Sequence, residues 1–256
     1  MTLVHSLLPW QWVLGAFCAL TVGLSKTGVP GLGILFVPLF AMVLPARAST
    51  GALLPLLMIG DAIAVVWYRR TAVWRHLWRL LPWAGAGIVC GFLLLGRIDD
   101  RTLRPLLGAL IIAMLGFNLW RDRPWEDPAH RSRPLPPIPT AWWFSAVMGL
   151  LAGTTTMLAN AAGPIMLVYL LSMRLPKDEF LGTGAWFFAL VNAAKVPFSA
   201  GLGLITADSL VLDAMLAAGV LAGAAVGILT ARKLPERVFV VGIQALALAS
   251  AVLLFF

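Results

Sequence analysis

"GLSKTGVPGLGILFVP", Gly23 to Pro38, interrupts a stretch that is otherwise apolar and helical in character. Its four glycines and two prolines are poor helix-interior residues, costing about 1 and about 3 kcal/mol each relative to alanine. Proline also removes a backbone donor. Ser25, Lys26 and Thr27 add a charge and hydroxyls at the same point. A chain that breaks a helix deep in apolar sequence, and does so with a cation, needs a reason for both.

Composition sets the class. The 256 residues are 61% hydrophobic and 12% charged, with a mean hydropathy of +0.92, whereas soluble domains carry about 25% charged residues. Apolar stretches recur along the whole length between short clusters of Arg, Lys, Asp and Pro. In lipid every backbone polar group must be satisfied internally, which leaves helices or closed barrels. Barrel strands alternate apolar and polar residues, and "LLPLLMIGDAIAVVW" does not. The net charge of +8 reads as loop charge that sets orientation, with the lipid bilayer and not nucleic acid as partner. Cys18 and Cys90 lie in apolar stretches as small hydrophobes, and no metal or other cofactor is expected. Nothing before Trp10 is positively charged, His5 counting as neutral, which disfavours a secretory signal peptide. Trp10, Trp12, Trp120, Trp142 and Trp143 sit at segment ends and read as interface anchors.

Outward from the opening stretch, apolar segments fall at 10–25, 29–44, 48–68, 80–96 and 103–120, then at 140–158, 161–172, 179–200, 208–231 and 236–256. The polar, proline-rich connector "RDRPWEDPAHRSRPLPPIP" separates the two sets. Residues 1–120 are therefore expected to be a first transmembrane repeat, 121–139 a cytoplasmic connector and 140–256 a second repeat. "GLSKTGVPGLGILFVP" aligns with "GLLAGTTTMLANAAGP", Gly149 to Pro164, placing Gly23 with Gly149 and Pro38 with Pro164. "PARASTGALLPLLMIGDAIA" aligns with "PKDEFLGTGAWFFALVNAAK", placing Gly51 with Gly182 and Asp61 with Asn192.

Four places, 69–79, the connector, 174–177 and 232–237, hold 13 of the 19 basic residues. Put on the cytoplasmic side, they make the three long segments of each half alternate across the membrane. Each half then crosses an odd net number of times, so the repeats are inverted and both termini are extracytoplasmic. The expected fold is all-α and polytopic. It has two inverted repeats, each a short broken or re-entrant helix pair plus three long transmembrane helices, with about 8–10 membrane segments in all.

Short, Gly/Pro-interrupted segments in corresponding positions of inverted repeats point to a transporter's binding site. Half-helices meeting near the midplane would offer backbone N–H groups to an anion, with "SKTGVPGLG" and "TTTMLANAAG" as facing tips. Ser25, Lys26, Thr27, Thr154, Thr155, Thr156 and Asn160 would add donors, and Gly31, Gly33 and Gly163 close approach. Asp61 is read as the acid well inside a long segment, a pairing, coupling or gating group beside Asn192 and Lys195. Structural readings stand next to these. Lys26 could snorkel to an interface, and Asn160 and Asn192 could be interhelical bonds. Asp61 could pair with Lys195. Gly91 and Gly223 read as close helix packing, while Gly28, Gly31 and Gly33, clustered with prolines, read as part of the site.

The chain resembles the sulfite exporter TauE/SafE family of membrane permeases. The residues that carry the likeness are "GVPGLGILFVP" and "PARASTGALLP" in the first half. In the second they are "TMLANAAGPIMLVYLLSMRLPKDEFLGTGAWFFALVNAAKVPFSAG", Thr156 to Gly201. In the first motif Leu32 separates Gly31 from Gly33, where the family more often has consecutive glycines. The resemblance implies export or exchange of sulfite, or of small sulfur-containing anions such as sulfonates, across the bacterial inner membrane without ATP hydrolysis. It points to Asn160, Gly163 and Pro164 within the interrupted pairs. An anion channel, a carrier of another small anion, a cation carrier using Asp61 and a non-transporting scaffold are the other classes considered. An intramembrane enzyme is disfavoured because no histidine lies in an apolar segment and no nucleophile motif is present. The oligomeric state, a homodimer included, is left open.

Overall fold

The computed structural model describes residues 7–44, 46–94 and 141–235, with Val238, Val241, Gly242 and Ala245 beyond them. The expected segment at 103–120, the connector and most of 236–256 lie outside those residues. Among the described residues there are eight helices and no strand. They are α1 (Pro9–Thr27), α2 (Gly33–Val43), α3 (Ala46–Tyr68), α4 (Trp74–Leu94), α5 (Trp142–Ala159), α6 (Gly163–Ser172), α7 (Lys177–Gly201) and α8 (Ala207–Lys233). Four of these, over Ala48–Tyr68, Trp74–Leu94, Trp142–Ala159 and Ala207–Lys233, are long and apolar enough to cross a membrane. The protein is an all-helical membrane protein.

The helices follow the apolar segments, with two shifted starts: the second segment, expected from residue 29, begins at Gly33 because the chain turns over Gly28 to Gly31. The fourth segment, expected from residue 80, begins at Trp74, so Arg75 and Arg79 are helical instead of lying in a loop. Arginine is a good helix former, and its long stem carries the charge outward from a helix that continues beneath it.

Each short pair is a hairpin with its two ends together. Gln11 Nε2, near the start of α1, donates to the carbonyl of Val43 at the end of α2, 3.1 Å away. In the second pair Ser145 Oγ lies 3.3 Å from the Tyr169 hydroxyl, and the Phe144 and Tyr169 rings stack at 5.7 Å. The outgoing arms have 19 and 18 residues and the returning arms only 11 and 10.

The apolar side chains form two cores. One joins α1, α2 and α3 to Leu212, Leu216 and Val220 of α8. The other joins α4, α5, α6 and α7, with Tyr68 at its edge. Each outgoing arm thus packs on a helix from the far half of the chain, parallel to it. Close backbone approach makes this work, as in other helix pairs built on small residues. A Cβ on Gly223 would overlap the Leu20 carbonyl, and one on Gly28 would overlap Gly227. On the other side, a Cβ on Gly87 would overlap the Leu150 carbonyl and one on Gly153 the Ala84 carbonyl. Gly91 and Gly223 are packing glycines, and Gly28, read as part of a site, is one too. Large apolar side chains such as Val13, Trp78, Leu93 and Trp142 are left exposed around the outside, as lipid contact requires.

Between the two cores run α3 and α7, antiparallel. Gly51 of α3 lies against Leu204, just past the end of α7, and Gly182 of α7 lies against Thr71 and Ala72, just past the end of α3. Asp61 is ten residues from both Gly51 and Thr71, about 15 Å along the chain in each direction at 1.5 Å per residue. The middle of this crossing is where the polar side chains gather.

Candidate functional site

Lys26 stands on the last turn of α1, which stops because the chain turns away at Gly28 and Gly31 adopts φ 103°. That conformation is open to glycine and strained for other residues. The lysine stem crosses α3 at Gly60, where a Cβ would sit 3.0 Å from Lys26 Cγ. Its Nζ lies 2.7 Å from Asp61 Oδ1 and 4.3 Å from the centroid of the Phe188 ring. Asp61 is 1% exposed, and its other oxygen accepts from Asn192 Nδ2 at 2.7 Å. Helices α1, α3 and α7 therefore meet through one ion pair and one charge-assisted hydrogen bond.

Lys195 is one turn beyond Asn192 on α7 and is also 1% exposed. Its Nζ donates to Thr156 Oγ1, 3.2 Å away, and to Asn160 Oδ1, while Lys26 and Asp61 are its charged neighbours. Asn160 caps α5 in the left-handed conformation at φ 53°, which asparagine tolerates better than most residues. Its Nδ2 donates to the carbonyl of Thr50 on α3 at 3.0 Å. Two lysines and one carboxylate thus stand in a single column between α3 and α7, Lys195 and Asp61 buried and Lys26 nearly so. Among the described residues one positive charge of that column has no acidic partner.

Several expectations change in detail. The interrupted tips do not face each other: the carbonyl of Thr27 accepts from the Tyr68 hydroxyl at one end of α3, whereas Asn160 meets Thr50 at the other. The outgoing arms are too long to be half-helices; it is the returning arms, α2 and α6, that touch. Asp61 pairs with Lys26 and not with Lys195, and Lys26 is turned inward instead of snorkelling. The Thr27 hydroxyl is shared between the carbonyls of Gly23 and Ala224. Thr155 turns to the Ala152 carbonyl and Thr154 to Leu150 and Gly87, so it is Thr156 that reaches Lys195. Ser25 is buried beside Lys26. Gly33 starts α2 below the Phe36 ring, and Gly163 starts α6 with open space where its Cβ would be.

The family model for the sulfite exporter TauE/SafE matches residues 14–254, nearly the whole chain. The chain belongs to that family. Neither a curated protein nor a solved structure matches it. Membership in TauE/SafE places the chain among membrane permeases for sulfur-containing anions, a transporter family and not an enzyme family.

One buried group of this TauE/SafE chain escaped the sequence reading. Asp213 of α8 is 3% exposed, and among the described residues neither carboxyl oxygen has a hydrogen-bond partner. The signal was present, an acid six residues past the start of α8 and followed by a long apolar run, but the sequence reading singled out Asp61 alone. It lies between Leu212 and Leu216 of the first core, apart from the lysine column. No group of three His, Cys, Asp or Glu able to hold a metal is found among the described residues.

Proposed function

We propose that this protein is a secondary transporter of sulfite or small organosulfur oxyanions such as sulfonates, working by alternating access around the α3–α7 crossing. The observation that carries the reading is the charge balance of the α3–α7 column among the described residues: Lys26, its side chain 10% exposed, and the buried Lys195 against Asp61. A buried charge without a partner is costly, and a small oxyanion bound between the lysines supplies the missing negative charge. Asn160, Asn192 and Thr156 add neutral polar groups, and the N-terminal N–H groups of α6 at Gly163, three residues from Asn160, add backbone donors. A cation carrier is disfavoured because both Asp61 oxygens already face donors, Lys26 Nζ and Asn192 Nδ2.

In this mechanism the anion competes with Asp61 for Lys26. The ion pair opens, both lysines turn to the oxyanion, and Asp61, left to Asn192, acts as the gating carboxylate. The matched contacts, Gly51 on Leu204 with Gly182 on Thr71 and α1 on α8 with α5 on α4, support two inverted repeats, 1–120 and 140–256, joined by the connector 121–139. The basic residues support a bacterial inner-membrane orientation with that connector cytoplasmic and both termini outside.

Calorimetry on purified protein tests the reading, with sulfite, sulfate, thiosulfate, short sulfonates and carboxylates as ligands. A sulfur oxyanion should bind saturably, and Lys195→Met should weaken it at least tenfold. Well-folded Lys26→Ala and Asn160→Ala proteins that transport sulfite at the wild-type rate in vesicles would contradict it, as would binding of cations alone through Asp61.

A further inference from the structure

A cavity of about 580 Å³ opens at the Arg-rich end of the α3–α7 crossing. Trp67, Tyr68 and Thr71 line it from α3 and the following turn, Lys177 and Asp178 from α7, and Arg232 from α8. Its basic groups outnumber its acid, and they are held in place. Lys177 Nζ donates to the carbonyls of Ala231 and Leu234 at the end of α8, and the Arg232 guanidinium lies 4.6 Å from the Trp67 ring centroid. Fixed positive charge around a concave, partly enclosed space concentrates anions there.

Tyr68 lies at the inner edge of this cavity, on the side where α1 ends. Its side chain forms part of the cavity wall, yet the residue is only 6% exposed. Its hydroxyl donates to the carbonyl of Thr27, 2.8 Å away, and Thr27 directly follows Lys26. Asp61 lies seven residues before Tyr68, two turns down the same face of α3, with the fully buried Ala64 between them. Tyr68 thus borders the electropositive cavity on one side and is tied by its hydrogen bond to the end of the helix that carries Lys26 on the other.

We infer that this cavity is a vestibule for the sulfur oxyanion and that Tyr68 is its gate. When the hydroxyl leaves the Thr27 carbonyl, the ring swings from the column, and the same hydroxyl is free to donate to the passing oxyanion. The vestibule's ligand rests on the proposed anion transport; the gate itself does not.

The test uses the full chain in vesicles, with Cys18→Ala and Cys90→Ala removing both native thiols and Ala64→Cys placing one behind the ring. Alkylation by iodoacetate added on the Arg-rich side is timed with Tyr68 intact and with Tyr68→Phe. The expected result is at least tenfold faster alkylation in Tyr68→Phe; equal rates overturn the gate. In a second variant, Thr71→Cys, carboxymethylation inside the cavity should lower sulfite flux at least tenfold, and unchanged flux overturns the vestibule. If alkylation follows Tyr68 but no sulfur oxyanion binds in calorimetry, the gate stands and the anion reading falls. If anions bind and alkylation ignores Tyr68, the reverse holds.

Discussion

The two hairpins share a plan and differ in how they deliver charge. In the first, the cation is part of the hairpin: Lys26 sits on the last turn of α1 and reaches Asp61 on α3. In the second, the tip contributes only a neutral amide and a hydroxyl, Asn160 and Thr156, and the cation comes to it from Lys195 on α7. A movement of the first hairpin therefore carries a charge with it. A movement of the second leaves its charge behind on the long helix. Similar packing of the two hairpins thus carries unequal chemistry.

The largest expected effect tests whether the packing is as even as the contacts indicate. Gly223→Leu, which would drive a side chain into the Leu20 carbonyl, and Gly87→Leu, which would do the same at Leu150, should each cost more than about 4 kcal/mol. Thermal unfolding in detergent should show both variants losing the folded state to a similar degree; a tolerant Gly87→Leu would mean that the second hairpin is less firmly docked than the first.

Next comes the charge asymmetry. Lys26→Ala strands Asp61 and should destabilise the protein by about 3–5 kcal/mol, most of it recovered in Lys26→Ala/Asp61→Asn. Lys195→Met removes a charge without stranding an acid, and relief of that unpaired buried charge offsets the lost hydrogen bonds, so stability should change by less than about 1 kcal/mol. Denaturation midpoints that fall equally in the two single variants would remove the distinction between the hairpins.

Asn160 gives a smaller effect. Asn160→Gly keeps the left-handed cap that Asn160→Ala strains, so the alanine variant should be less stable than the glycine one by about 1 kcal/mol. Both should lose the Thr50 and Lys195 contacts and bind sulfite equally poorly. Smallest of all, Gly163→Ala, with nothing within 4 Å of the new Cβ, should change stability by less than about 0.5 kcal/mol while still narrowing the approach to the α6 N-terminus. A drop in sulfite affinity without a drop in stability would mark that terminus as part of the binding surface.

The helices were legible in the sequence, as was the presence of Lys26, Asp61, Asn160, Asn192 and Lys195 as polar groups within or beside apolar runs, because both are written residue by residue. The partner choices were not. Nothing local distinguishes Asp61–Lys26 from Asp61–Lys195, since that depends on how far α1 runs before it breaks. The reach of α1 depends in turn on Gly23, Gly28, Gly223 and Gly227 letting two distant helices touch. Thr27 and Thr155 looked like ligands by composition; their rotation about the helix axis, invisible in sequence, turns them to main-chain carbonyls. Asp213 shows the converse, a buried acid that the sequence reading did not single out.

The swapped packing also has a consequence in time. The Thr27 hydroxyl is completed by Ala224, 197 residues later in the chain. At about 5–20 residues per second, the ribosome needs about 10–40 s after making α1 before its docking surface exists. Through that interval the first hairpin sits in the membrane with its glycine face open. A cell making this protein must shelter that face, and the last helices to emerge close the first ones.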